Sequence, residues 1–256
     1  YSKDDAEREE GYDLLSRAIE VGHTFSMNEL GYYFLAKETD HHQPERALKY
    51  LNASADRGDI YGYNNLGLVY SNGLGGVDPD AETALDWFAK ASAGGHPYAP
   101  VNIGRLHYNG KLGDGGPDYA QAVAWYDQGL ERGDAWGGAN AAWIILNKDV
   151  PDLDAADAAV RAAKAAALRN EEAAARARQL LGALDARTLT RAAQRLVNEM
   201  GADVAVDGAY GGETRGALEK LGESVGWRPD LSSSEARVLS AAYIYWRKNP
   251  LRLDLY

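Results

Sequence analysis

The sequence predicts an all-α protein: an α-solenoid of helical hairpins over residues 1–148, a helical cap and connector over 149–184, and a small helical module over 185–256. Three observations carry this reading. Asn28-Glu29-Leu30-Gly31, Asn65-Leu66-Gly67 and Asn102-Ile103-Gly104 recur at steps of 36 and 37 residues. Each is followed by an Ala-x-x-aromatic pair, Ala47/Tyr50, Ala84/Trp87 and Ala122/Trp125. Each unit then closes on a glycine, Gly58, Gly95 or Gly133. A fixed period in this range marks a helical repeat array. Such arrays present extended surface, so the chain reads as a binder or scaffold.

Each unit reads as two helices. In the second, helix A covers Tyr63 to Tyr70, and Asn72-Gly73-Leu74-Gly75-Gly76 makes the turn. Helix B starts at Asp78-Pro79, since proline lacks an N–H that the first helical turn leaves unpaired anyway. Ala84, Trp87, Phe88 and Ala91 then fall on one apolar stripe, and the third unit repeats it with Ala122, Trp125, Tyr126 and Gly129. The small Gly and Ala let helices approach, and Trp87 and Trp125 are expected to fill the space between hairpins. The turn from Gly110 to Pro117 is one residue longer, and the period there grows from 37 to 38. In the first unit, Lys37 to Gln43 lacks the glycine-rich turn. Upstream, Gly22-His23 aligns with Gly58-Asp59, so Gly11 to Val21 reads as a lone helix B, as if cut from a longer array. Downstream, Ala139-Asn140-Ala141-Ala142 aligns with Val101-Asn102-Ile103-Gly104 and opens a degenerate fourth unit. Asp154 to Leu184 reads as alanine-rich helix broken near Asn170.

Charge and composition narrow the function. Net charge is −11, and residues 1–150 hold 12 Lys and Arg against 23 Asp and Glu, while 151–256 hold 15 of each. An acidic array disfavours nucleic acid, which requires a basic footprint. No apolar run reaches the roughly 18–20 residues of a membrane span. With no cysteine there is no disulfide and no thiol chemistry. No serine elbow, phosphate loop or His-Glu-x-x-His is present. Gly73-Leu74-Gly75-Gly76 follows a helix and is a repeat turn. Of the five histidines, His23 and His96 share a repeat position, His107 replaces a repeat aromatic, and His41-His42 lacks the carboxylate–histidine spacing of a metal site. We expect no catalytic residue, no metal and no cofactor.

The pattern Asn-x-Leu-Gly-x-x-Tyr, Asn-Gly-x-Gly-Gly-Val and Ala-Leu-x-Trp-Phe-x-Lys-Ala-x-x-Gly-Gly-His resembles the Sel-one-like repeat, a relative of the tetratricopeptide repeat, and residues 60–133 carry the resemblance. The resemblance implies protein binding on a concave face lined by A helices, with Tyr32, Tyr63 and Arg105 as candidate contacts, and the acidic charge of the array favours a basic partner. From Leu189 to Leu221 the chain resembles the small helical peptidoglycan-binding domain, through Gln194 and Val206-Asp207-Gly208-Ala209-Tyr210-Gly211-Gly212-Glu213-Thr214. That family's closing Phe-Gln is replaced by Leu221-Gly222. The resemblance implies a wall-binding site drawn from Gln194, Arg195, Asp207, Gly208, Tyr210, Gly211, Thr214 and Arg215, suited to a short acidic muropeptide.

The same residues also have a purely architectural reading. Asp-Gly is a turn pair with glycine at positive φ, Tyr210 can plug a small core, and the Thr214 hydroxyl can satisfy free N–H groups in a first helical turn. After Trp227, Ser232-Ser233-Ser234-Glu235 signals a helix start, with Val238, Leu239, Ala242 and Trp246 on one face. This helix should pack on the module or the connector, and Leu251 to Leu255 should be ordered only by docking. The pairing of array and module is similar to that in proteobacterial envelope proteins, including the periplasmic part of polar organelle development proteins. It implies a non-catalytic periplasmic scaffold that holds a protein partner and touches peptidoglycan. The alternative is a regulatory or targeting part of a larger envelope enzyme whose catalytic domain lies outside this chain.

Overall fold

The computed structural model describes residues 2–35 and 43–250, with only the backbone of residues 2–10. The first A–B turn over 37–42, with His41 and His42, and the ending after Pro250 lie outside the described residues. Among these residues there are thirteen helices and no strand. They are Ser2–Glu20 (α1), Thr24–Leu35 (α2), Pro44–Ala55 (α3), Ile60–Asn72 (α4), Ala81–Ala93 (α5), Ala99–Tyr108 (α6), Tyr119–Glu131 (α7), Ala135–Asn147 (α8), Ala155–Ala166 (α9), Glu171–Gly182 (α10), Ala186–Glu199 (α11), Gly212–Ser224 (α12) and Ser234–Lys248 (α13). The chain forms two compact units, Tyr1–Leu106 with Lys111–Asp114, and His107–Gly110 with Gly115–Tyr256.

The repeat period is written into the junctions. Gly22, Gly58, Gly95 and Gly133 end their B helices at φ between 78° and 94°. The next residue's N–H then returns to the preceding helix: His23 to Ala18, Asp59 to Ser54, His96 to Ala91 and Asp134 to Gly129. Glycine takes this left-handed turn without a Cβ penalty, and the returning N–H satisfies a helix-end carbonyl. The A–B turns share a closure of their own. The N–H groups of Gln43, Asp80 and Asp118 donate to the carbonyls of Phe34, Tyr70 and His107, at 3.0, 2.8 and 3.0 Å. Loops of different length thus end on one bond, which is how the period drifts without disturbing the helices.

Helix B starts later than the sequence suggested. Asp80 is the N-cap of α5, and its carboxylate accepts from the Thr83 N–H at 3.0 Å and from the Thr83 hydroxyl at 2.7 Å. Pro79 therefore stands outside the first turn, against Gly73, whose φ is 64°. Helix A also starts earlier than Tyr63, at Ile60, because Asp59 caps it by accepting from the N–H groups of Tyr61 and Gly62.

In the first unit α2 packs on α3, α4 on α5, and α3 on α4. Leu30, Phe34, Leu51, Leu66 and Val69 form the core. Trp87 corrects the sequence reading: it is only half-buried, stacked on Tyr63 at 5.8 Å with the Lys90 ammonium 4.1 Å above it. Phe88 is the buried ring, and it fills the notch left by Gly67, where a Cβ would stand 2.4 Å from the Phe88 ring. Leu51 meets Gly31 in the same way, with a Cβ there 2.6 Å from Leu51 Cδ2. In the second unit Trp125 is likewise half-buried and Tyr126 is buried.

The recurring asparagines are rungs between A helices. Asn28 donates to the Asp59 carboxylate at 3.0 Å, and Asn102 donates to Asn64 at 2.9 Å. By its step of 36 to Asn28, Asn64 rather than Asn65 is the Asn28 equivalent; Val101 takes that place in the third repeat, and Asn102 shares the position of Asn65.

In the second unit α8 and α9 form the fourth hairpin, and α9 packs on α8, α10, α11 and α13. Alanine explains this crowding. A helix that meets these four and α7 as well has room for little beyond Cβ atoms, and Ala156, Ala158, Ala159, Ala162, Ala163 and Ala165 are all buried. The expected break falls where it was read, with Asn170 capping α10 through the Ala173 N–H. The tail helix α13 packs on α11 and α9, as expected. Its N-cap is Ser233. Trp246 Nε1 donates to the Lys164 carbonyl at 2.8 Å.

Candidate interaction surfaces

The wall-binding candidates in the second unit gather around the buried amide of Gln194. Its nitrogen donates to Asp207 Oδ1 at 3.0 Å, to the Ala209 carbonyl at 3.1 Å and to Thr214 Oγ1 at 3.2 Å. Its oxygen accepts from the Gly208 N–H at 3.0 Å. Asp207 Oδ1 also accepts from the Ala209 N–H at 2.8 Å, and this backbone bond and the Gln194 bond hold its carboxyl below the usual range. Gly208 has a φ of 79°, and a Cβ there would stand 2.4 Å from Arg187 Cγ. These four residues therefore fold the loop between α11 and α12. Thr214 meets the Gln194 amide, not the free N–H groups expected of it.

The other four candidates lie apart from that network. Tyr210 is half-buried, with the Arg237 guanidinium 3.8 Å over its ring. Its hydroxyl is buried and has no hydrogen-bond partner among the described residues. Arg195 turns away toward α9, where it forms ion pairs with Asp154 at 2.7 Å and with Asp157 at 2.7 Å. Gly211 is the exposed N-cap of α12. Arg215 is exposed and, among the described residues, pairs only along its own helix, with Glu219 at 3.2 Å. The Leu221-Gly222 departure has a local reason: a Cβ at Gly222 would stand 2.5 Å from the Trp227 carbonyl oxygen.

Two charged clusters in this unit have no sequence signal, because their members are far apart in the chain. Lys164 is buried, with its ammonium 3.1 Å from Glu131, 2.9 Å from Glu199 and 3.8 Å from the Tyr245 ring centre. Burial opposes its charge, but the Glu199 hydrogen bond and the two carboxylates outweigh burial and raise its pKa. Asp154 caps α9 in a capping box with Asp157 and binds both Arg191 and Arg195. The Arg195 hydrogen bond holds the Asp154 carboxyl well below the usual carboxylate range.

The protein-binding candidates of the array sit one to a helix. Tyr32 on α2 is 65% exposed. Arg105 on α6 is exposed and donates to Asn102 at 3.2 Å. By the steps of 36 and 37 these two share a repeat position, whereas Tyr63 shares that of the buried Met27 and Pro100 and is committed to Trp87. Sequence reasoning overlooked another row of exposed aromatics, Phe25, Tyr61 and Tyr98, also one to a repeat. Aligning the units by their closing glycines is enough to find it.

Among the described residues no group of three or more His, Asp or Glu side chains is placed to hold a metal, and no helix is long and apolar enough to cross a membrane. Capped hairpins repeating on one junction define a helical-repeat protein. The Sel1 repeat model matches residues 24–59, 60–96 and 97–134, so this stretch is three Sel1 repeats. Among solved structures, the chain is similar to a Sel1 repeat protein from Oxalobacter formigenes, at 24% identity over 87% of this chain and 88% of that one, with a TM-score of 0.49. It is also similar to a protective antigen of uropathogenic Escherichia coli that displays an SLR fold, at 20% identity over 77% and 52% of the two chains, with a TM-score of 0.38. No curated protein matches the sequence.

Proposed function

We propose that the chain is a non-catalytic periplasmic scaffold whose repeats hold a protein partner and whose residues 185–256 touch peptidoglycan. Three contiguous Sel1 repeats support the scaffold role. Stacked repeats expose long, similar surfaces suited to another protein. The acidic balance of the array favours a basic partner, whose association weakens as salt rises.

The wall-binding part rests on the resemblance of residues 189–221 and on what the loop leaves accessible. Gln194, Asp207, Gly208 and Thr214 set the loop's shape, and Arg195 braces α11 against α9. Of the candidate residues, Arg215 is then the exposed cation that can meet an acidic muropeptide, beside Gly211. Cosedimentation of the full chain with purified sacculi tests this. The wild type should pellet with the sacculi, and Arg215→Ala should abolish pelleting while leaving stability within about ±0.5 kcal/mol, as for an exposed residue. Equal pelleting of the two proteins, or none by a folded wild type, would leave a scaffold without a wall anchor.

A further inference from the structure

Seven large apolar side chains stand exposed among the described residues, and three of them, Phe25, Tyr61 and Tyr98, occupy the second position of the matched repeats. Their exposures are 60%, 47% and 57%. Folding does not explain the recurrence, because a side chain this exposed contributes little to a core. The rings are nonetheless held. Tyr61 and Tyr98 both lean edge-on against the buried His96 imidazole, at 4.8 and 5.9 Å, and Phe25 leans on His23 at 6.2 Å. A braced aromatic offers contact area with little rotamer freedom left to lose, which favours binding. In the next hairpin Trp136 holds the same position but packs partly buried against the core of its own unit, so the row consists of three rings.

The occupant follows from charge and spacing. Residues 1–106 hold 9 Lys and Arg against 17 Asp and Glu. A second copy of the chain would bring the same excess of negative charge and be repelled. A cationic segment would be attracted, and a guanidinium can also lie over an aromatic face. Packed helices stand about 8–10 Å apart; α2 packs on α4, and the Asn102–Asn64 bond at 2.9 Å ties α6 to α4. A polyproline II segment advances about 9 Å in three residues, so every third side chain meets the next ring. We propose that Phe25, Tyr61 and Tyr98 form a docking strip for an extended segment of a protein partner with arginine at every third position. This rests on the scaffold reading of the array.

Fluorescence anisotropy of the full chain with a fluorescein-labelled Pro-Pro-Arg repeat peptide tests it. The wild type should bind, and binding should weaken with salt. The double variant Tyr61→Ala/Tyr98→Ala should lose about tenfold or more in affinity with an unchanged melting curve, as expected for two lost cation–π contacts. If that variant unfolds, Phe25→Ala carries the test and should lose affinity by itself. The proposal is overturned if the wild type does not bind, if the folded variants bind as it does, or if a Pro-Pro-Glu peptide binds equally. Sedimentation of the wild type as a dimer that Tyr61→Ala/Tyr98→Ala dissociates would assign the row to self-association instead. A protein partner retained by the array while the peptide fails would remove the strip and leave the scaffold reading standing.

Discussion

Phe88 and Trp87 are adjacent, but only Phe88 faces the Gly67 notch. Phe88→Ala should cost about 3–5 kcal/mol, the range for a buried ring replaced by a cavity. Trp87→Ala should cost about 1 kcal/mol, since a half-buried side chain recovers only part of the burial contribution. Urea melts of the two variants check this, and equal midpoints would contradict the packing described. Gly67→Leu should disrupt the same contact, because even a Cβ at 67 overlaps a ring that has nowhere to move. Gln194 offers a parallel case in the second unit. Gln194→Leu keeps the volume but strips the partners from buried Thr214 and from the Gly208 N–H, at about 1–3 kcal/mol per unpaired buried group. Thermal unfolding of that variant should show a lowered midpoint, while sacculus binding distinguishes loop folding from ligand contact.

Among the elements, α9 is held by alanine on its faces and by Asp154 at its start. The pH dependence can be worked out from that residue. The folded-state pKa of Asp154 lies below its unfolded value, so its contribution is fully present above the unfolded pKa of about 3.9. The contribution is lost as pH falls below that value through the lower folded one. Asp154→Asn should therefore lower stability at neutral pH and flatten the acid limb of a stability–pH profile below about pH 4. An unchanged acid limb would show that the Asp154–Arg195 pair contributes no linkage. The fourth hairpin was legible only as far as the register of Ala139-Asn140-Ala141-Ala142. That alanine-rich 155–166 lies at the centre of a unit was not, because alanine periodicity is the same whether one neighbour packs against it or five.

In the molecule as a whole, the second unit has one core, not a separate cap and module. Leu181, Leu196, Leu218, Val238 and the alanines of α9 belong to a single cluster. A chain ending at residue 184 should strip α11 and α13 from α9, so residues 115–184 should become protease-sensitive while residues 44–106 stay protected. Limited proteolysis with mass spectrometry reads both outcomes, and protection of residues 155–182 in the truncated chain would show that the shared core is dispensable. Net charge acts at this scale too, since the negative excess lies in residues 1–150 and is felt by any partner approaching the array.

The sequence alone determined the repeat class, its period and its closing glycines. Gly58, Gly95, Gly133 and the Ala-x-x-aromatic pairs are local rules, and local rules repeat in the chain as they do in space. It also named every residue of the Gln194 network except the backbone of Ala209. Tertiary structure alone decided that Phe88 and not Trp87 is the buried ring, because that depends on Gly67, which lies on another helix. It turned Arg195 from a candidate ligand contact into a brace, since Asp154 and Asp157 lie about forty positions upstream. It gathered Glu131, Lys164, Glu199 and Tyr245 from four helices around one buried ammonium, a contact that no spacing in the chain encodes. Periodicity reports which face of a helix is apolar, and only the packed neighbour decides what that face meets.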